Sequence, residues 1–320
     1  MTIGYHDGVR SQPENLRRSA ATVRAALAGV SLSRSRGLVA FGMGASAHAA
    51  AGFAAVLRDR GVPALAASAA DLLRPAGFGA AYLAISQSGR SRETVEALTA
   101  VDGPRIALTN DPDGPLGRAA GTVVPLGSGE DSAVSTLSYT ATVQALGLIC
   151  DHLTGRASPS WADLPDLASD VLSADAGPLA DAVDGAECVD VVGSGVHVAS
   201  AGAAALLLRE AAHLPTAAFT TREYLHGPLE TAGPGRAVLL FSSGPSARET
   251  ALAADLAGYG ARVALVTDAG PGPVRLPTMD GLAGCALAIL PVQQAAHALA
   301  ERAGRPIALR YMPADTKLAG

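Results

Sequence analysis

The sequence predicts an α/β protein built as two tandem, doubly wound parallel-sheet units related by internal duplication. Three observations predict it. Short apolar runs that end in glycine- or serine-rich turns alternate with helical patterns along most of the 320 residues. That alternation is how strands cross over through helices into a parallel sheet. The pattern breaks at Gly155–Leu164, which holds the only tryptophan, and restarts at Cys188. Finally, Ser242–Thr250 repeats Ser86–Thr94 without gaps, sharing Ser86/Ser242, Arg92/Arg248, Glu93/Glu249 and Thr94/Thr250.

The elements follow in order. An N-terminal arm, residues 1–30, carries a helical pattern from Ser11 to about Ala28. The first unit, 31–155, opens with an apolar strand at Gly37–Phe41. The tight turn Gly42-Met43-Gly44-Ala45-Ser46 then leads into an alanine-rich helix ending near Arg60. Further strands are read at Val62–Ala67, Ala80–Ile85, Arg105–Leu108 and Thr122–Leu126, and a helical pattern over Ser132–Leu153. Residues 156–180 read as a connector. The second unit, 181–308, has strands at Cys188–Val192 and Ala237–Phe241 and a helix over Val196–His213. Its strand Val263–Val266 pairs in sequence with Ile106–Thr109. Residues 309–320 form a tail.

Ligands of such sheets sit outside the carboxyl ends of the strands. The stretch Tyr82–Thr94 delivers Ser86-Gln87-Ser88-Gly89-Arg90-Ser91 from a buried strand to a helix start. Loop and first-turn N–H groups there favour an anion, and the hydroxyl and amide side chains add donors. A phosphate fits better than a nucleotide, because no Gly-Lys-Ser/Thr and no Gly-x-Gly-x-x-Gly accompanies the loop. The second copy lacks the glutamine and has Pro245 where Gly89 stands, so the chemistry is expected to be asymmetric.

Composition narrows the field. Hydrophobic residues make up 49% and charged ones 17%, which describes a packed globular chain. The net charge is −5 and no basic stripe appears, so nucleic acid is not expected. The first ten residues lack an apolar signal, and no run of about 18 uncharged apolar residues is read. The expectation is a cytoplasmic protein without a membrane segment. Cys150, Cys188 and Cys285 have no metal spacing and read as buried thiols, and neither a metal nor a cofactor is implied. Lys317 is the single lysine among 24 basic residues, so side-chain amine chemistry could come from nowhere else.

Ser86-Gln87-Ser88-Gly89, Ala133-Val134-Ser135-Thr136, Arg209-Glu210 and His226-Gly227-Pro228-Leu229, in that order, resemble the sugar isomerase (SIS) family. The resemblance extends over residues 10–318. It is strongest to the isomerase half of glucosamine-6-phosphate synthases and to relatives lacking a glutaminase domain; Gln12-Pro13 matches the opening of that half. It implies flavodoxin-like units and a sugar-phosphate substrate. Ser86, Gln87, Ser88 and Ser91 would hold the phosphate, with Ser46 and Ser135 binding the sugar. Glu210 would carry a proton between C1 and C2, His226 would open the ring, and Lys317 would form an imine with the open-chain ketose. A homodimer is implied. The activity implied is an isomerase or aminosugar-phosphate deaminase. The alternatives are a deglycase of amino-acid–sugar-phosphate adducts and a non-catalytic phosphosugar-binding protein. Met43 and Ala45, Leu137, Leu207 and Arg90 depart from the family pattern and leave the sugar open. With no glutaminase domain ahead of the arm, glutamine is not expected as an ammonia source.

Overall fold

The computed structural model describes residues 3–32, 37–74, 78, 80–244, 247–269, 274–311 and 314–318. The arm holds α1 (Tyr5–Arg10) and α2 (Gln12–Leu27). The first unit follows as β1 (Leu38–Gly42), α3 (Ala45–Asp59), β2 (Ala64–Ser68), β3 (Ala81–Ile85), α4 (Arg92–Ala100), β4 (Arg105–Thr109), α5 (Pro115–Ala119), β5 (Thr122–Pro125) and α6 (Leu137–Thr154). Two helices, α7 (Ser160–Ser173) and α8 (Gly177–Val183), occupy the stretch expected as a connector, and Trp161 is buried there. The second unit comprises β6 (Cys188–Gly193), α9 (Val198–Ala212), β7 (Thr216–Thr220), α10 (Thr221–Tyr224), β8 (Arg236–Ser242), α11 (Ala247–Gly258), β9 (Arg262–Thr267) and β10 (Val274–Arg275). Then come α12 (Gly281–Ala288) and α13 (Leu290–Arg302).

Both sheets are parallel and five-stranded, ordered β2-β1-β3-β4-β5 and β7-β6-β8-β9-β10. The two orders are the same walk through the chain. Strand β7, absent from the sequence reading, occupies the place of β2. Each of these two strands ends in a capping box, Ser68 with Asp71 and Thr220 with Glu223. The ladder also corrects the sequence pairing of the next strands. Ile85 lies beside Leu108 and Phe241 beside Val266, so Thr109 corresponds to Thr267, one residue on from the Val266 of the sequence pairing. In each, the threonine Oγ1 accepts the N–H two residues on.

Strands buried on both faces explain why they read as unbroken apolar runs. Leu38, Ala40, Leu83 and Ile85 face a central layer made by α3, α6, α9, α12 and α13, with Leu239 and Phe241 facing it from the other sheet. Val39, Phe41, Tyr82 and Ala84 face outer helices of the first unit, and Val192, Val238 and Leu240 those of the second. Within the central layer α3 and α9 cross at glycines. A Cβ on Gly202 would lie 2.2 Å from His48 Nδ1, and one on Gly52 would lie 2.8 Å from Ala199 Cβ.

The arm stitches the rim of the first sheet. Ser19 donates to the Leu126 carbonyl, Arg18 to those of Gly127 and Ser128, and Asn15 to that of Leu137. Gly281–Arg302 is long and apolar enough by composition to cross a membrane, contrary to the sequence expectation. In this fold 83% of its apolar window is buried inside the protein, as a core helix requires. Cys150 and Cys285 are buried as expected, and Cys188 is half-buried.

Candidate active site

The loop after β3 turns on Gly89. Its N–H donates to the Ser86 carbonyl at 3.0 Å, and its φ of +65° lies in the left-handed region that favours glycine. A Cβ there would also press within 2.8 Å of Thr109 Oγ1. Ser86 is buried; Gln87, Ser88, Arg90 and Ser91 are half-buried. Ser88 Oγ accepts the Arg90 N–H at 3.3 Å, which leaves the hydroxyl proton available to a ligand. Ser91, the N-cap of α4, makes no side-chain cap, so the first-turn N–H groups of that helix have no side-chain acceptor from it. The start of α6 contrasts with this. There the Asp131 carboxylate accepts from the N–H groups of Thr136, Leu137 and Ser138 and from two hydroxyls. One helix N-terminus near the sheet edge is filled by the protein's own anion, and the other has no cap from its N-cap side chain.

Gln87 joins Met43, Ser46, Ser135, Ser138, Tyr139 and Thr142 around a cavity of about 120 Å³. A second, smaller cavity shares Ala45, Ser135 and Tyr139 with it and is completed by Ala203, Leu206, Leu207, Glu210, Ile289 and Gln293. The two units meet here: α9 of the second carries Glu210 to the edge of the cleft made by turns of the first. The walls around Glu210 are mostly aliphatic, and burial raises its carboxyl above its ordinary value. The N-terminal Tyr5 is close by, for its phenol is raised by burial and, to a smaller extent, by the carboxylates of Asp131 and Glu210.

The tail reaches the same loop. Lys317 forms an antiparallel bridge with Ser91, Leu318 N–H donates to the Arg90 carbonyl at 2.8 Å, and Arg92 Nε donates to the Asp315 carbonyl at 2.7 Å. Arg90 itself leans on Asp111, 3.3 Å away. Ser46, Gln87, Ser135 and Glu210 are therefore brought together, with Lys317 docked on the far end of the loop. Ser88 faces an outer groove of about 530 Å³ shared with Gln87, Asn110 and Asp111. His226 is exposed at the second sheet and lines neither of the two joined cavities. Among the described residues no group of three or more His, Cys, Asp or Glu side chains is placed to hold a metal ion.

The sequence reading missed Tyr139, Thr142 and Gln293. Tyr139 and Thr142 stand three apart on α6, which begins two residues after Ser135, and that spacing puts them on one helix face. Gln293 has no such signal, being far along the chain.

The second loop is built differently. Ser243 Oγ lies 2.5 Å from Nε2 of the buried His197, whose Nδ1 meets Ser200 Oγ at 3.0 Å. Burial lowers the His197 imidazole to about 4. The buried Glu249 carboxylate accepts from Ser194 and Thr221, both at 3.0 Å. Pro245, expected to replace Gly89 here, lies outside the described residues.

Residues 31–149 match the SIS domain family. The chain carries a SIS domain. Its sequence is 29% identical over 253 residues to an isomerizing glutamine–fructose-6-phosphate aminotransferase of Symbiobacterium thermophilum, covering 71% of this chain. The chain spans 42% of that relative's length. Among solved structures it superposes on the C-terminal domain of glucosamine-fructose-6-phosphate aminotransferase from Francisella tularensis with a TM-score of 0.82 and 17% identity, over 96% of this chain and 98% of that one. Glucosamine-6-phosphate deaminase from Thermotoga maritima gives a TM-score of 0.79 with 14% identity, over 97% and 98% of the two chains. These structures share this chain's fold over nearly its whole length.

Proposed function

We propose that the protein acts on an aminosugar 6-phosphate or hexose 6-phosphate, shifting a proton between C1 and C2, and that with an aminosugar it releases the C2 amine. The observation that carries the reading is Glu210, a single half-buried carboxylate in a cavity contiguous with the hydroxyl-lined cleft of Ser46, Gln87 and Ser135. One carboxylate reaching both carbons of a planar intermediate is what such a shift needs. The phosphate is assigned to Ser86, Gln87, Ser88 and Ser91 with the N-terminus of α4, which Ser91 leaves without a side-chain cap.

In this reading His226 opens the ring and Glu210 removes the C2 proton of the open-chain aldehyde. The resulting enolamine is reprotonated at C1, leaving an imine at C2. Lys317 displaces ammonia from C2 as a protein-bound imine, and water then frees the ketose and the lysine. The pairing of the tail with Ser91 supports a place for Lys317 beside the phosphate. Since His226 is exposed on its own chain, we assign it to the site of a second copy in a homodimer. We also read the two units, with their identical strand order, as duplicates of one ancestral unit.

The test is incubation of purified protein with glucosamine, galactosamine, glucose, fructose and tagatose 6-phosphates, measuring ammonia and ketose separately. Ammonia and ketose released together from an aminosugar phosphate support the deaminase. Ketose–aldose interconversion without ammonia reduces the reading to a plain isomerase, and no turnover on any of them refutes it.

A further inference from the structure

Two buried glutamines, 281 positions apart, converge on one carbonyl at the start of α6. Gln12 Nε2 donates to the Thr136 carbonyl at 3.0 Å and to Gln293 Oε1 at 2.9 Å, and Gln293 Nε2 donates to the same Thr136 carbonyl at 3.1 Å. Thr140 Oγ1 fills the remaining acceptor, Gln12 Oε1, at 2.5 Å. Both side chains are essentially inaccessible, at 0% and 1% exposure, and every polar atom of the pair has a partner. The Gln293 backbone carbonyl is tied in turn to Tyr5 Oη at 3.1 Å.

Its location separates this cluster from ordinary core packing. Thr136 directly follows Ser135, which lines both the sugar cleft and the Glu210 cavity, and Gln293 lines the Glu210 cavity itself. The clamp thus joins three parts that belong to different regions of the chain: the arm, the α6 start in the first unit and α13 in the second. Glu210 rides on α9, against which α13 packs. Nothing covalent fixes the first unit's Ser135 opposite the second unit's Glu210.

We infer that Gln12 and Gln293 are positioning residues that set the register between Ser135 and Glu210 for proton transfer. The inference rests on the proposed function. A fully satisfied buried amide network specifies one arrangement, because any slip strands a desolvated donor or acceptor. A displacement of about 1 Å between base and substrate can cost about 100-fold in rate while leaving binding intact.

Gln293→Met and Gln12→Met keep side-chain length and delete the hydrogen bonds. With glucosamine 6-phosphate and fructose 6-phosphate as probes, we measure kcat, KM, calorimetric affinity and hydrogen exchange with solvent deuterium, at C2 of the aminosugar and at C1 of the ketose. Each variant is expected to lower kcat and hydrogen exchange about 10–100-fold, with KM and affinity within about twofold of wild type. The double variant is expected to be no slower than the poorer single one, since both act through one clamp. Should Gln293→Met fail to fold, Gln12→Met applies the same test from the arm side. Undiminished exchange in the variants, a KM rising in step with the fall in kcat, or additive losses in the double variant would overturn the inference alone. A wild-type protein that exchanges neither the C2 hydrogen of glucosamine 6-phosphate nor a C1 hydrogen of fructose 6-phosphate overturns the proposed function and this inference together.

Discussion

Glu210→Gln tests the site with two independent readouts. The amide keeps the shape and removes the base, so turnover should fall about 10²–10⁴-fold, equivalent to about 3–5 kcal/mol of transition-state stabilisation. Binding of the sugar phosphate should persist, because the phosphate loop is untouched. The second readout follows from the setting of the carboxyl among Ala203, Leu206, Leu207 and Ile289. Burial raises its pKa, so the folded protein binds that proton more tightly than the unfolded chain does. Stability from this group is complete below the unfolded value of about 4.5 and declines as pH rises through the folded value. Glutamine carries no such penalty. Chemical denaturation should therefore find Glu210→Gln more stable than wild type at pH 8, with the difference vanishing towards pH 4. The acid limb of the wild-type rate profile should lie above the ordinary carboxylate range and disappear in the variant. A variant that keeps near-normal turnover, or is no more stable than wild type at pH 8, would refute the assignment of a buried base.

Three further outcomes are expected. Ser88→Ala should weaken calorimetric affinity for glucosamine 6-phosphate about 10-fold or more, the cost of a lost donor to a charged acceptor, whereas Ser243→Ala should leave it within twofold; equal losses would contradict the asymmetry of the loops. Borohydride added with fructose 6-phosphate should trap an adduct that peptide mapping places on Lys317, and its absence together with full activity in Lys317→Ala would remove the imine step. The buried His197, held near 4 against an ordinary 6.5, binds a proton less readily in the folded state, so its contribution is whole above about pH 6.5 and is lost as pH falls towards 4. At about 1.4 kcal/mol per unit this amounts to about 3 kcal/mol, and His197→Asn should flatten the acid branch of the denaturation profile accordingly.

Much of the fold was legible because parallel strands buried on both faces leave continuous apolar runs, as in Leu38–Gly42, Ala81–Ile85 and Arg236–Ser242. Strand β7 was not. It lies at the sheet edge, its residues are mixed in burial, and Thr216-Ala217-Ala218 has neither the apolarity of a central strand nor clean alternation. Helices α7 and α8 were hidden by Pro159 and Pro178 at their starts, where proline costs little, and by Pro165 inside α7. The serine loop was legible because its donors are contiguous in the chain. The junction of Ser135 with Glu210 and Gln293 was not, since it depends on α3 and α9 crossing through Gly52 and Gly202.

In the proposed reading the crossing also explains how two units of the same topology make one site rather than two. Each sheet has a switch point where a glycine turn and a serine loop face each other. In the second, Ser243 is engaged by His197, and Ser194 and Thr221 are spent on the Glu249 carboxylate. A phosphate entering there would meet a buried carboxylate in place of free donors. In the first, Ser88 keeps its proton and α4 lacks a side-chain cap. In the proposed reading the base comes from the neighbouring unit, on α9, where Ala203, Leu206 and Leu207 line the cavity beside Glu210. In that reading Glu210 stands beyond Ser135, away from the loop assigned to the phosphate.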